Sequence, residues 1–206
     1  MTNQTVTSEQ WFATTFAEVP VMAILRGMGV EHSLELAGVA WDLGIDAVEV
    51  PIQSSADCDA LRAVVAAGRD RGKQVGAGTI VDDEAVRLAA EAGASFTVSP
   101  GFDLDVVHAS EQAGMPSLPG VATASEVQRA RREGIHWMKA FPASVLGTEW
   151  FTTIHGSFPD VNFLATGGMN ARNAPDFLVS GARVVAVGSA LSDPEELARL
   201  TEIIRR

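Results

Sequence analysis

A lysine stands inside an otherwise apolar run, Ile135-His136-Trp137-Met138-Lys139-Ala140-Phe141-Pro142. Burial disfavours a charged amine, and a neutral amine can attack a ketone to give a Schiff base. The plainer interpretation is a strand-end lysine whose ammonium reaches solvent along a buried stem. Only two lysines occur, Lys73 and Lys139, so the choice of an amine nucleophile is narrow. An acid is placed in a similar way: Glu49 is flanked by valines in Asp46-Ala47-Val48-Glu49-Val50-Pro51. A carboxyl that points into an apolar interior has a raised pKa, which suits proton shuttling. It could instead be a plain ion-pair partner of Lys139 or Arg26.

Two glycine-rich pieces, Gly167-Gly168 and Gly188-Ser189, let backbone N–H groups approach an anion, and a helix expected from Asn170 would add the favourable end of its dipole. Turn glycines alone would explain each pair separately. Thr79, in Gly76-Ala77-Gly78-Thr79, can hydrogen-bond a carboxylate or cap a helix. Arg26, Gln53, Ser99, Thr123 and Thr166 complete the polar residues that fall at the ends of apolar runs.

Those runs define the elements that must position the chemistry. Eight strands are expected, at 19–27, 45–52, 74–80, 95–101, 115–121, 136–142, 161–167 and 183–189. Each is short and nearly continuously apolar, as parallel strands buried on both faces are. Amphipathic segments alternate with them, at 31–43, 82–92, 103–113, 123–133, 170–180 and 197–206, and most stop at a glycine. Thr123-Ala124-Ser125-Glu126 has the form of a capping box. An extra helix at 6–16 is expected to pack over one end. The alternation, without a complete Gly-x-Gly-x-x-Gly turn after the first strand, favours a single α/β domain over residues 1–206, a (β/α)8 TIM barrel, over an open sheet. In such a barrel the polar strand ends converge on one mouth.

Composition narrows the function classes. With 26 acidic against 15 basic residues the net charge is −11, a poor match to nucleic acid or an anionic membrane surface. No apolar run is long enough to span a bilayer, and the first ten residues lack the basic start and apolar stretch of a signal peptide, so the cytoplasm is the expected compartment. The single Cys58 is expected to be structural, and the four scattered histidines give no metal-ligand spacing. No metal and no cofactor is therefore expected. The four tryptophans are read as packing residues.

In order along the chain, Ala23-Ile24-Leu25-Arg26-Gly27, Val48-Glu49-Val50-Pro51, Gly76-Ala77-Gly78-Thr79, Val98-Ser99-Pro100-Gly101, Pro119-Gly120-Val121-Ala122-Thr123, Lys139-Ala140-Phe141-Pro142, Thr166-Gly167-Gly168 and Gly188-Ser189 resemble the bacterial 2-keto-3-deoxy-6-phosphogluconate aldolases and their phosphogalactonate relatives. The resemblance covers nearly the full length. It implies a class I aldolase that cleaves a 2-keto-3-deoxy-6-phospho sugar acid to pyruvate and glyceraldehyde 3-phosphate. It also implies that Lys139 is the Schiff-base lysine and Glu49 the proton shuttle. Thr79 and Pro100 fall at pyruvate-binding positions, Phe141 beside the lysine, and Thr166 where substrate hydroxyls are read. Gly167, Gly168 and Ser189 fall at the phosphate end, with Gly188 next to them. The family is usually homotrimeric.

Gln53 departs from the phosphogluconate pattern, which commonly has an arginine there. An amide at this position and the Ile-Leu-Arg-Gly start look closer to the phosphogalactonate branch, and Arg26 is the candidate to supply a cation to the substrate. Two other activities fit the same residues: aldol cleavage of 4-hydroxy-2-oxoglutarate, without a phosphate, and a non-catalytic barrel that binds a phosphate ligand.

Overall fold

A computed structural model describes residues 7–205 of the chain. Its sheet is entirely parallel. The strands are β1 (Val21–Ile24), β2 (Ala47–Pro51), β3 (Gln74–Gly78), β4 (Thr97–Val98), β5 (Ser117–Leu118), β6 (Gly120–Val121), β7 (Trp137–Ala140), β8 (Asn162–Ala165) and β9 (Ala182–Val187), in the order β5-β4-β3-β2-β1-β9-β8-β7-β6. The count of nine against the expected eight has one cause. Pro119 has no N–H for a ladder and divides the fifth strand. The first half, β5, pairs with β4, and the second, β6, pairs with β7. The Pro119 carbonyl still accepts from the Lys139 N–H at 2.8 Å. Since β5 and β6 are joined through this one residue, the two ends of the sheet order meet and the barrel closes as an eight-membered ring.

The helices are α1 (Ser8–Thr15), α2 (Gly29–Asp42), α3 (Ser55–Arg71), α4 (Asp83–Ala92), α5 (Leu104–Gln112), α6 (Ala124–Arg132), α7 (Ala143–Leu146), α8 (Thr148–Ser157), α9 (Ala174–Val179) and α10 (Pro194–Ile204). Local signals explain their starts. Asp82 caps α4 by accepting from Ala85 N–H at 2.8 Å, and Thr123 with Glu126 forms the expected reciprocal capping box on α6. Gly93 closes α4 at φ 80°, a left-handed conformation that suits glycine. The segments expected at 6–16 and 197–206 run over Ser8–Thr15 and Pro194–Ile204, and Val6 and Arg206 lie outside the described residues.

The helix expected at 170–180 starts four residues later than the sequence suggests. Asn170 Oδ1 accepts from the N–H groups of Arg172 (2.9 Å) and Asn173 (3.0 Å), while Asn173 Oδ1 accepts from Asn170 N–H at 2.9 Å. Asparagine side chains thus satisfy the backbone in a turn, and α9 begins only at Ala174. The helix end expected at Asn170 therefore lies four residues further from Gly167-Gly168, at Ala174.

Alternation along the strands sorts the side chains into two clusters. Met22, Ile24, Ala47, Phe96, Val98, Leu118, Trp137, Leu164, Val184 and Ala186 fill the barrel. The out-of-phase residues, such as Ala23, Val48, Ala77, Met138, Phe163 and Val185, meet the helices. At the N-terminal end α1 adds Phe12 and Phe16 to the inner cluster, and Trp11 packs against it. The Trp11 ring lies 4.9 Å from that of Phe96, and the Phe12 ring 6.0 Å from that of Trp137. Glu9 of the same helix accepts from the N–H groups of His136 (2.6 Å) and Trp137 (3.2 Å), at the start of β7. The extra helix therefore covers the N-terminal end of the barrel. Cys58 is buried in α3, and Trp41 and Trp137 are buried packing residues.

Candidate active site

The same alternation sets which polar residues face inward. Lys139 is two residues beyond Trp137, Glu49 two beyond Ala47, Thr166 two beyond Leu164, and Pro100 two beyond Val98; each precursor belongs to the inner cluster. These residues therefore form the next layer up, towards the C-terminal ends of the strands. Arg26 is likewise two beyond Ile24 and emerges exposed at the rim. Ser99 is out of phase with Val98 and Pro100, and its hydroxyl is buried towards the helices. It is not part of the mouth. Thr123, also singled out from sequence, is engaged as the cap of α6.

In the closed ring β2 and β7 are four strands apart, so Glu49 and Lys139 rise from opposite walls. Lys139 is 2% exposed, and its Nζ stands 5.1 Å from the centre of the Phe141 ring. The other lysine is excluded by position: Lys73 lies just before β3, at the N-terminal end of the barrel, and is ion-paired with Asp46. Glu49 is fully buried, and neither carboxyl oxygen has a hydrogen-bond partner in the structure. Burial pushes its pKa above the usual carboxylate range, against the positive charges of Lys139 and then Arg26, which pull it down.

Space for that carboxyl is made by a glycine on the neighbouring strand. A Cβ at Gly78 would lie 2.0 Å from Glu49 Oε1, so any larger residue there would displace the acid. The next residue, Thr79, takes φ 62°, unusual for a β-branched side chain and a strain on the order of 1–3 kcal/mol. Thr79 and Gln53 come together, but on the outer rim. They line a cavity of about 560 Å³ between α3 and α4 that Lys139 and Glu49 do not line.

The glycine pair on the opposite side is shaped by the segment that follows Lys139. Gly167 and Gly168 have φ 93° and 77°, and a Cβ at Gly167 would meet the Phe141 ring and Pro142 at 3.1 Å. Ala143 N–H donates to the Thr166 carbonyl (2.7 Å) and Ser144 N–H to that of Gly167 (3.0 Å). Gly188 sits against the backbone of β1, 3.2 Å from the Ile24 carbonyl measured from an added Cβ, and Ser189 opens a 3-10 turn, Ser189–Ser192. Ser189, Asn170 and Arg172 share a cavity of about 290 Å³ with Asp193 and Glu196. Sequence reasoning missed Arg172, a cation at this end. Its Nε lies 2.9 Å from the Glu196 carboxylate, which also accepts from Ala171 N–H at 2.6 Å. Asp193 is used as the cap of α10.

Among the described residues no three His, Cys, Asp or Glu side chains gather in a metal-binding group, and no helix is long and apolar enough to cross a membrane. The arrangement holds an amine and a carboxyl on opposite walls of the barrel, with the glycine pair beside the ring of Phe141.

Known proteins resemble this chain across most of its length. The family model described as KDPG and KHG aldolase matches residues 13–203. A protein of Rhizobium meliloti, named a probable 2-dehydro-3-deoxy-6-phosphogalactonate aldolase, is 34% identical over 180 residues, covering 86% of this chain and 84% of its own. A solved structure described as native KDPGal superposes with a TM-score of 0.82 at 29% identity, over 91% of this chain and 95% of that one. A Legionella pneumophila KDPG aldolase, holding pyruvate as a covalent carbinolamine intermediate, superposes with a TM-score of 0.79 at 29% identity, over 93% and 95% of the two chains.

Proposed function

The chain belongs to the KDPG and KHG aldolase family, and on that premise we propose that it cleaves a 2-keto-3-deoxy-6-phospho sugar acid, of the gluconate or galactonate type, through a Schiff base on Lys139. The observation that carries this reading is the buried amine of Lys139 facing a buried, unpartnered Glu49 across the barrel. The carbinolamine in the Legionella relative supports covalent chemistry in this fold.

The steps follow from those two groups. The Lys139 amine adds to the C2 ketone, forming the N–C2 bond. Glu49, directly or through a water, moves the protons that expel the C2 oxygen as water and leave a cationic iminium. The base then takes the proton of the C4 hydroxyl, the C3–C4 bond breaks, and its electron pair passes into the iminium to give a neutral enamine. Glyceraldehyde 3-phosphate departs. Protonation at C3 restores the iminium, and water releases pyruvate and the free lysine. A carboxyl held above its usual range is better suited to give a proton as well as to take one. Binding the two ends of the substrate fixes the ketone over the amine. In this reading Pro100, Phe141 and Thr166 contact the substrate, Thr79 and Gln53 reach it from their position on the rim, and Gly167, Gly168, Gly188 and Ser189 take its phosphate. We take the working unit to be a homotrimer, as family resemblance implies, and its compartment to be the cytoplasm.

Incubating the purified protein with 2-keto-3-deoxy-6-phosphogluconate or its galactonate epimer should release pyruvate, read by coupling to lactate dehydrogenase, with no loss in EDTA. Absence of pyruvate from both, with turnover of 4-hydroxy-2-oxoglutarate alone, would replace the phosphorylated substrate. Loss in EDTA reversed by a divalent ion would replace the mechanism.

Arg26 is assigned to the substrate carboxylate. A substrate carboxylate bound beside the buried Glu49 needs compensation, and Thr79 and Gln53 offer no charge. Arg26 is close enough to Glu49 for its charge to pull on that carboxyl. Arg26→Ala is expected to slow imine formation with pyruvate about tenfold, the scale of a charged hydrogen bond. Normal imine formation with weakened cleavage of the phosphorylated substrate would move Arg26 to the phosphate.

A further inference from the structure

Nothing in the sequence pattern marks Ser144, yet the structure sets its side chain on the glycine pair. A Cβ at Gly168 would lie 2.4 Å from Ser144 Oγ and 2.7 Å from its Cβ. The hydroxyl thus occupies the space that a side chain at 168 would fill. The backbone is fixed there: Ser144 N–H donates to the Gly167 carbonyl at 3.0 Å, and Asn173 Nδ2 donates to the Gly168 carbonyl at 3.0 Å. Ser144 is exposed, and among the described residues its hydroxyl makes no hydrogen bond within the protein.

The contacts form a chain of neighbours. Lys139 Nζ faces the Phe141 ring at 5.1 Å, that ring lies 3.1 Å from the Cβ position of Gly167, and Ser144 covers the next residue. The hydroxyl therefore adjoins the glycine pair that the aldolase reading gives to the phosphate, the distal end of a ligand whose ketone reaches Lys139. A fixed backbone with an unengaged O–H favours an anionic oxygen at that place, since a charged acceptor makes the stronger bond.

We propose that Ser144 is a specificity-determining residue whose hydroxyl donates to the terminal phosphate of the aldehyde half of the substrate. This rests on the aldolase reading above. It adds a side-chain donor to a subsite otherwise made of backbone and Ser189. Its position, five residues after Lys139, couples the amine and the anion site through one short segment.

The test compares two aldehydes that differ only in the phosphate. With pyruvate as the nucleophile, kcat/KM is measured for glyceraldehyde 3-phosphate and for glyceraldehyde in the wild type, Ser144→Ala and Ser144→Thr. The alanine variant should lower the phosphate-over-hydroxyl preference about tenfold, mainly through KM, and threonine should restore most of it. Borohydride trapping of pyruvate at Lys139 by the alanine variant reports that the amine end is intact. An unchanged preference, or a parallel fall with both aldehydes, would overturn the role of Ser144 and leave the aldolase reading standing. A wild type that neither traps pyruvate nor condenses it with either aldehyde would overturn both.

Discussion

Lys139→Met is expected to lower kcat/KM for sugar-acid cleavage by about 10⁴-fold or more, the scale seen when a covalent nucleophile is removed. Methionine matches the length of the lysine stem without its charge. At a position 2% exposed the variant should melt at or above the wild-type temperature, which separates lost chemistry from lost fold. The same experiment has a positive arm. With pyruvate and sodium borohydride the wild type should gain one reduced pyruvyl adduct per chain, because hydride converts the C=N of the iminium into a stable secondary amine. Peptide mapping should place that adduct on Lys139, and the methionine variant should gain none. An adduct on Lys73 instead would contradict the geometry, since that side chain is held by Asp46 at the opposite end of the barrel.

Glu49→Gln should reduce kcat by roughly 10² to 10⁴, the usual contribution of a positioned general acid or base, with a much smaller change in KM. A loss confined to KM would make Glu49 a binding residue. Slow formation of the pyruvate imine should persist, because the amine is untouched. Stability should move the other way. Burial raises the folded pKa of Glu49 above its unfolded value, so between those two values the folded state binds more protons than the unfolded state. Stability from this group is therefore lost as pH rises through that window. Glutamine fits the same space over Gly78 and carries no proton to lose. The variant should gain thermal stability relative to the wild type on going from about pH 4 to pH 8, a span that starts near the usual glutamate value and runs above it. A gap that narrows over that span would mean that the carboxyl is not held above its ordinary range.

Much of this arrangement was readable from the chain because each strand is buried on both faces and therefore almost uninterrupted in apolar character. A lysine or glutamate inside such a run stands out, and both Lys139 and Glu49 did. Phase was harder. The expected strand at 95–101 contains both Ser99 and Pro100, and an apolar run on both faces gives no alternation to tell which of them turns inward. The long α3 went undelimited. Its middle is diluted by alanines and by Gly68, which is there for packing: a Cβ would sit 2.7 Å from Val75 and 3.4 Å from Trp41. The delayed start of α9 depends on two asparagines bonding each other's backbone, a reciprocity that composition does not reveal. The Gly78 vacancy and the Ser144 placement are relations between strands and loops distant in sequence, and only the closed ring brings them into register.

The aromatic cover that α1 lays over the N-terminal end closes that side of the barrel, so a molecule that reaches Lys139 comes and goes at the C-terminal mouth. In the proposed reaction this gives traffic an order. The fragment held on Lys139 would lie nearer the closed end, and the released aldehyde would have to clear the mouth before anything replaced it. Until that departure the bond just broken could reform, so the closed end would make reversibility a matter of how long one molecule lingers.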